Sequence, residues 1–197
     1  MAVIKVLDLN KFARGLRPVT STELKTRTGE FNPDGLLSEE IFGVEGSFDR
    51  SKNMSFINLV TQIIHPTLYR HIVKLERKLE KMFSTQSGIK INPDGSIVED
   101  ESGITGISAF IDNFKKIKFR DLNSPARIEL IKNLQQAYKD GTLFIDKIPV
   151  VPPDVRPSFE DETGELKIDD LDNIYIGILR KSFQIKSAGT KGQFLTF

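Results

Sequence analysis

Cysteine is absent from the 197 residues, which excludes disulfides and cysteine-ligated zinc. Histidine is nearly absent: His65 and His71 are the only two, too few to build a histidine zinc site or a histidine-activated nucleophile. Net charge is almost nil, with 28 Lys+Arg against 27 Asp+Glu for a formal +1. Bulk charge therefore announces neither a nucleic-acid nor a membrane partner, and any such partner must be met by a local patch. No apolar run approaches the ~20 residues that a membrane-crossing helix needs. Charges break every apolar run of the opening "MAVIKVLDLNKFARGLRP", so it does not read as a secretory signal. Nucleophile-elbow, phosphate-loop and metal-ligand spacings are all missing. Carboxylates do cluster, at Glu39-Glu40, Glu99-Asp100-Glu101, Asp161-Glu162 and Asp169-Asp170. All sit in turns or at helix starts, where solvated charge and helix capping account for them. An unrelated helical enzyme is disfavoured, because no acid–base or metal cluster is on offer.

What is present is an α+β pattern, mainly helical. Residues 1–53 read as irregular: "MAVIKVLDL" suits a short strand, and "NPDGLLSEEIFG" suits a turn and a short segment with Ser38 as cap and Gly43 as stop. A segment so poor in regular structure suggests packing against other chains or against a missing remainder. "MSFINLVTQII" is either a buried strand or an extended entry to a helix. His65-Pro66 opens a helix, Pro being well placed at the first helical position, and His65 itself reads as a structural residue satisfied by a backbone group. In "PTLYRHIVKLERKLEKMFS" the residues Leu68, Ile72, Leu75, Leu79 and Met82 are spaced 4, 3, 4 and 3, one continuous helical stripe and potentially half of a coiled-coil-like hairpin. "IKINPDGSIVED" is a hairpin around Asn92-Pro93-Asp94-Gly95. Two further helices follow, with Ile107, Phe110, Ile111, Phe114 and Ile117 on the first stripe and Ile128, Ile131, Leu134 and Tyr138 on the second. Ser124-Pro125 starts the second of these and Gly141 stops it. "TLFIDKIPVV" reads as a strand. Asp169 or Asp170 caps a last helix with Leu171, Ile174, Tyr175, Ile178 and Leu179 on one face. The final "AGTKGQFLTF" ends on apolar residues without a cap and reads as a cut through a longer chain.

Three basic groups could touch phosphates: "KKIKFR" from Lys115 to Arg120, the Arg70, Lys74, Arg77, Lys78 and Lys81 set, and Arg180, Lys181, Lys186 and Lys191 near the end. Glu76 and Glu80 interleave with the second set, which favours a mixed solvated face there. The proline cluster is different. Pro149, Pro152, Pro153 and Pro157 lie in "IPVVPPDVRP", and each pushes the residue before it towards extended geometry. The result is a stiff path with Arg156 inside it, either a wedge that projects an arginine or a rigid spacer between two helices.

"IPVVPPDVRP" followed by "DDLDNIYIGILR" resembles the largest, beta-prime-like subunit of multisubunit DNA-dependent RNA polymerases, which carries an "LPV-PP-LRP" element, a short acidic and glycine-containing loop, and an "LN-LY" helix. "GLLSEEIFG" is similar to the family's segment before its zinc-binding region, and "FINLVTQIIHP" to the stretch after it, typically "GHIELA-P". The order is preserved from Gly35 to about Lys186. The resemblance implies a single N-terminal clamp-like region within a larger subunit: an irregular segment over 1–53, a helical clamp-like core with short strands and hairpins over 54–151, a lid-like loop over 152–168, and the start of the clamp helices over 169–197. It implies that Pro152, Pro153, Asp154, Val155, Arg156 and Pro157 meet the RNA–DNA hybrid, and that Arg180, Lys181 and Lys186 meet nucleic acid or a promoter-specificity factor. Implied partners are the beta-like subunit, the remainder of the beta-prime-like subunit, and DNA; the implied location is the cytoplasm or a virion. The chain departs from the family in lacking the four-cysteine zinc site near Gly43–Met54, the arginine- and asparagine-rich run after the "LY" pair, and the magnesium-holding aspartate loop. No zinc is expected, magnesium is expected elsewhere in the polymerase, and the zinc-less form points to a divergent, bacteriophage-type enzyme. The alternative is a non-enzymatic protein-interaction or virion structural module that keeps the fold without the chemistry.

Overall fold

The structure is a computed structural model that describes residues 6–190. In chain order its elements are α1 (Leu9–Phe12), α2 (Glu39–Phe42), β1 (Ser55–Ile64), α3 (Pro66–Leu75), α4 (Lys78–Phe83), β2 (Ile89–Ile91), β3 (Ile97–Glu99), α5 (Gly106–Asn113), α6 (Pro125–Lys139), β4 (Phe144–Val150), β5 (Phe159–Glu160), β6 (Leu166–Lys167) and α7 (Asp170–Thr190). The strands form three two-stranded sheets, β1 with β4, β2 with β3 and β5 with β6. This is the expected α+β class. The strand expected at "MAVIKVLDL" falls partly on residues 1–5, outside the described residues; the rest of it leads into α1. Lys191 and the end of the chain also lie outside them.

The described residues divide into two compact units, one of residues 6–8 and 62–145, the other of 9–61 and 146–190. The chain passes between the units within β1 and again within β4.

The first unit is built from the expected stripes. Leu68, Ile72, Leu75, Leu79 and Met82 are all buried, and they meet Phe110, Phe114, Leu134 and Leu143 in one core. Aromatic rings fill its centre: Phe110 lies edge-on to Phe83 at 5.0 Å and Phe114 edge-on to Phe144 at 5.6 Å between ring centres. The single long helix expected over this stripe is instead two helices. Glu76 is extended (φ −145°, ψ 98°) and breaks the ladder. Two side chains support the break. Arg127 Nη2 donates to the Leu75 carbonyl at 2.9 Å, and Glu76 Oε1 accepts from the Lys78 amide at 3.4 Å. Backbone groups released by a helix break need partners, and here both come from within the unit. The stripe therefore bends around a compact core rather than lying along a second helix, which replaces the coiled-coil-like hairpin. His65 caps α3 as a structural residue, its Nδ1 accepting from the Thr67 amide at 3.2 Å, with Pro66 at the first helical position. The hairpin pairs Ile89 with Glu99 and Ile91 with Ile97, and Gly95 supplies the positive φ of 83° that the turn demands.

In the second unit the N-terminal segment finds packing partners within this chain. Val19, Leu36 and Phe42 are buried against Ile57, Val150, Tyr175, Ile176 and Leu179 of the same unit. Short-range bonds replace regular structure: the Thr20 and Ser21 amides both donate to the Asp34 carbonyl at 2.9 Å, and Val19 donates to the Phe56 carbonyl at 2.9 Å. Ser38 caps α2 by accepting from the Ile41 amide at 3.1 Å, and Gly43 closes it at φ 99°. On α7, Asp169 is the capping residue, its Oδ1 accepting from the Leu171 amide at 2.8 Å. Tyr175 and Leu179 are buried as expected, but the inner face also takes Asp172, Ile176 and Ser182, while Ile174 is 57% exposed. The stripe is rotated because two polar side chains have inward partners. Asp172 meets Arg156, and Ser182 Oγ accepts from the Val60 amide at 3.1 Å.

Candidate nucleic-acid interface

The proline element leaves β4 at Val150, which is fully buried. Pro149 sits inside β4, where a two-stranded sheet leaves each strand an open edge and a missing amide costs little. Pro152 is extended at φ −56° and ψ 149°, then Pro153–Val155 form one tight 3-10 turn. The turn reverses the chain, so the following arginine points back under its own loop. Arg156 Nε donates to the Val151 carbonyl at 2.9 Å, Nη2 donates to the Leu36 carbonyl, and Nη1 donates to Asp172 Oδ1. The guanidinium carbon lies 5.2 Å from the Phe42 ring centre and 5.9 Å from that of Tyr175, within cation–π range. Tyr175 Oη in turn accepts from the Val151 amide at 3.3 Å.

Arg156 is thus 0% exposed. Of the two sequence readings, a wedge that projects an arginine and a rigid spacer, the buried side chain is the one a stiff spacer needs, since it satisfies two backbone carbonyls and a carboxylate at once. The polar balance is tight. Burial pulls the Arg156 pKa down, with the Arg50 charge acting the same way and Asp172 opposing. Burial also pushes the Asp172 carboxyl up, with Arg156 opposing. Both partners are drawn toward their neutral forms by desolvation and held by each other. Among the described residues Asp172 Oδ2 has no hydrogen-bond partner.

A second buried arginine, Arg50, supports the same loop. Its Nη1 donates to the Gly43 carbonyl at 2.7 Å, and its Nε lies 3.7 Å from Asp154. Sequence reasoning missed Arg50 and Asp172, and gave Tyr175 a packing role alone. The available signal was the setting of Arg156: a guanidinium inside an apolar-proline run is a candidate for burial as much as for display.

Beyond Pro157 the chain forms the hairpin of β5 and β6, with Phe159 opposite Lys167 and Glu160 opposite Leu166. Asp161 organises its turn, Oδ1 accepting from the Thr163 amide at 2.9 Å, the Thr163 hydroxyl at 2.6 Å and the Glu165 amide at 3.0 Å. Those bonds hold the Asp161 carboxyl below its usual range. Lys25 and Glu160 form an ion pair that ties the hairpin to the N-terminal segment.

The expected site residues therefore separate into two sets. Pro152, Pro153 and Arg156 are buried foundations, while Asp154, Val155 and Pro157 are exposed. The exposed surface of the element is acidic and apolar rather than basic. Residues 152–168 carry five acids, and their two cations are Arg156, paired with Asp172, and Lys167, paired with Asp161 and Glu165. Val155 is 62% and Phe159 66% exposed. Arg180, Lys181 and Lys186 are exposed on α7 and are not part of this loop. Among the described residues no three His, Asp or Glu side chains converge where a metal could bind. No helix among them is long and apolar enough to cross a membrane.

The chain has distant, partial similarity to RNA polymerase beta' subunits. It is 25% identical over 116 aligned positions to the DNA-directed RNA polymerase subunit beta' of Campylobacter fetus, covering 55% of this chain and 8% of that protein. With the subunit beta' of Marinomonas sp. it shares 23% identity over 200 positions, covering 77% of this chain and 14% of the relative. With that of Thermosipho melanesiensis it shares 31% over 61 positions, or 30% of this chain and 4% of the relative. The chain thus spans less than a sixth of the length of the curated relatives it matches. No family model matches it. These relatives are bacterial, and the expected bacteriophage origin finds no support among them.

Proposed function

We propose that this chain is part of a DNA-dependent RNA polymerase, contributing the clamp-like region and lid of a beta-prime-like subunit. The similarity to beta' subunits supports a transcription-related role. The single observation that carries the lid assignment is the construction of residues 152–168: a proline-stiffened base fastened by Arg156, and a hairpin that displays Val155 and Phe159.

In this reading the loop is a wedge, not a phosphate grip. Its exposed charges are acidic and would repel a backbone. Apolar and aromatic side chains on a rigid support instead suit separation of transcript from template, where a ring stacks on the last base pair and blocks the next. Phosphate contact falls to Arg180, Lys181 and Lys186 of α7, which would meet DNA or a promoter-specificity factor. Polymerisation itself, and the magnesium it uses, would reside in other parts of the enzyme, and no zinc is required of this chain. Its partners would be the beta-like subunit and the remainder of the beta-prime-like subunit, in the cytoplasm.

The test is purification of the native polypeptide under gentle conditions with identification of co-purifying chains, followed by transcription with the Phe159→Ala variant. Co-purification with polymerase subunits, and a longer upstream hybrid in the variant, are the expected results. A chain that isolates without polymerase subunits, or only with structural proteins, would refute the polymerase reading. Polymerase subunits together with an unchanged hybrid would refute the lid alone.

A further inference from the structure

The first unit carries a cleft that neither the core nor the proposed lid uses. It opens between α6 and residues 114–121 and has a volume of about 720 Å³. Its floor is apolar, from Phe119, Ile128, Ile131 and Tyr138. Its two rims are basic: Lys115 and Lys118 on one side, Lys132 and Lys139 on the other, against the single acid Asp121. Lys132 and Lys139 are seven residues apart on α6, so they sit roughly two turns or about 10 Å from each other along one face. Among the described residues none of the four lysines makes an ion pair.

We propose that this cleft is a docking site for an acidic amphipathic helix of a protein partner. The charge pattern selects the sign of the occupant: four lysines flanking an apolar floor complement a segment with an apolar stripe and carboxylates on both sides of it. The same surface suits nucleic acid poorly. Its aromatic faces are already engaged, Tyr138 lying 4.9 Å from Phe114 with a 32° tilt and carrying the Lys115 ammonium 5.7 Å above its ring. Phe119 is likewise held against Phe114, 6.3 Å between ring centres, the rest of the floor, Ile128 and Ile131, is aliphatic, and lysine lacks the planar fork with which arginine reads phosphate. Apolar anchors spaced i, i+3 or i+4, and i+7 along a partner helix would match the length between the two lysines of α6. This inference stands apart from the polymerase reading and holds whichever complex the chain joins.

The test uses the full chain and a labelled synthetic helix with Leu and Phe on one face and Glu and Asp elsewhere. A peptide with Lys replacing every acid and an oligouridylate serve as comparison probes. Saturable anisotropy is expected with the acidic helix alone, weakening as salt is raised. Lys118→Glu combined with Lys132→Glu should weaken it by about tenfold or more, and Ile128→Gln should weaken it with the thermal midpoint unchanged. Absence of saturable binding by the acidic helix, or binding indifferent to these variants, overturns the proposal. Oligouridylate binding that the lysine reversals abolish, without peptide binding, would overturn it in favour of a nucleic-acid site.

Discussion

Replacing Arg156 with alanine should be among the most damaging single changes in the second unit. The side chain is fully buried, as is its partner Asp172. Removing it leaves a carboxylate inside the unit with neither oxygen paired, since Oδ2 already lacks a partner. It also strips donors from the Leu36 and Val151 carbonyls. Breaking one side of a buried ion pair costs about 3–5 kcal/mol, and an orphaned buried carbonyl costs about 1–3 kcal/mol more. Water entering the vacated space offsets part of this, so a net loss of about 3–5 kcal/mol is expected, a large share of the ~5–15 kcal/mol typical of a domain. Urea unfolding followed through Tyr175 measures it. Tyr69 and Tyr138 belong to the first unit, so Tyr175 is the tyrosine that reports on the second. Asp172→Asn should lose less, because the amide can still accept from Arg156 while leaving a cation unpaired. Arg156→Met with Asp172→Leu should recover part of the loss, with a coupling energy of about 2 kcal/mol or more. A loss below about 1 kcal/mol in Arg156→Ala, smaller than a typical orphaned carbonyl alone, would refute the reasoning and restore an arginine free to project.

Three further perturbations probe the rest. Burial holds the His65 pKa below 6.5, and burial together with Lys74 does the same for His71; a depressed folded-state pKa means stability that is complete above 6.5 and lost as pH falls below it, so the urea midpoint of the first unit should drop between about pH 7 and pH 5. His65→Ala should cost about 1 kcal/mol at neutral pH, whereas His65→Asn keeps a capping acceptor and should flatten much of the pH response. Gly103→Ala would place a Cβ 2.3 Å from the Ile89 carbonyl oxygen, and the forced shift should destabilise the β2–β3 region by about 2 kcal/mol in thermal or urea unfolding. Asp161→Ala should free the Thr163 and Glu165 amides for faster hydrogen exchange while leaving the Arg156 network protected, because that network does not involve the turn.

The apolar periodicities and the turn residues were legible where local physics decides. Ser38, Gly43, Pro66 and Gly95 do in the structure what their chemistry dictates, and the stripe from Leu68 to Met82 is buried in full. Its break at Glu76 was not legible, since it depends on Arg127, distant in sequence, reaching the Leu75 carbonyl. The rotation of α7 escaped for the same reason: Ile174 faces outward because Asp172 and Ser182 have partners elsewhere in the chain. The irregular start looked unsupported because its core partners, Val150 and Tyr175, lie more than a hundred residues further on. At the proline element the sequence showed stiffness, but not the tight turn at Pro153–Val155 that folds Arg156 inward and leaves Val155 and Phe159 as the exposed surface.

The most direct measurement places a photoreactive amino acid at position 159 and assembles the chain into the polymerase on an RNA–DNA scaffold. Crosslinks to the transcript or template at the upstream edge of the hybrid, absent when the probe is placed at exposed Val98 of the first unit, are the expected result. Crosslinks from position 159 to protein alone, in an assembled and transcribing enzyme, would contradict the lid.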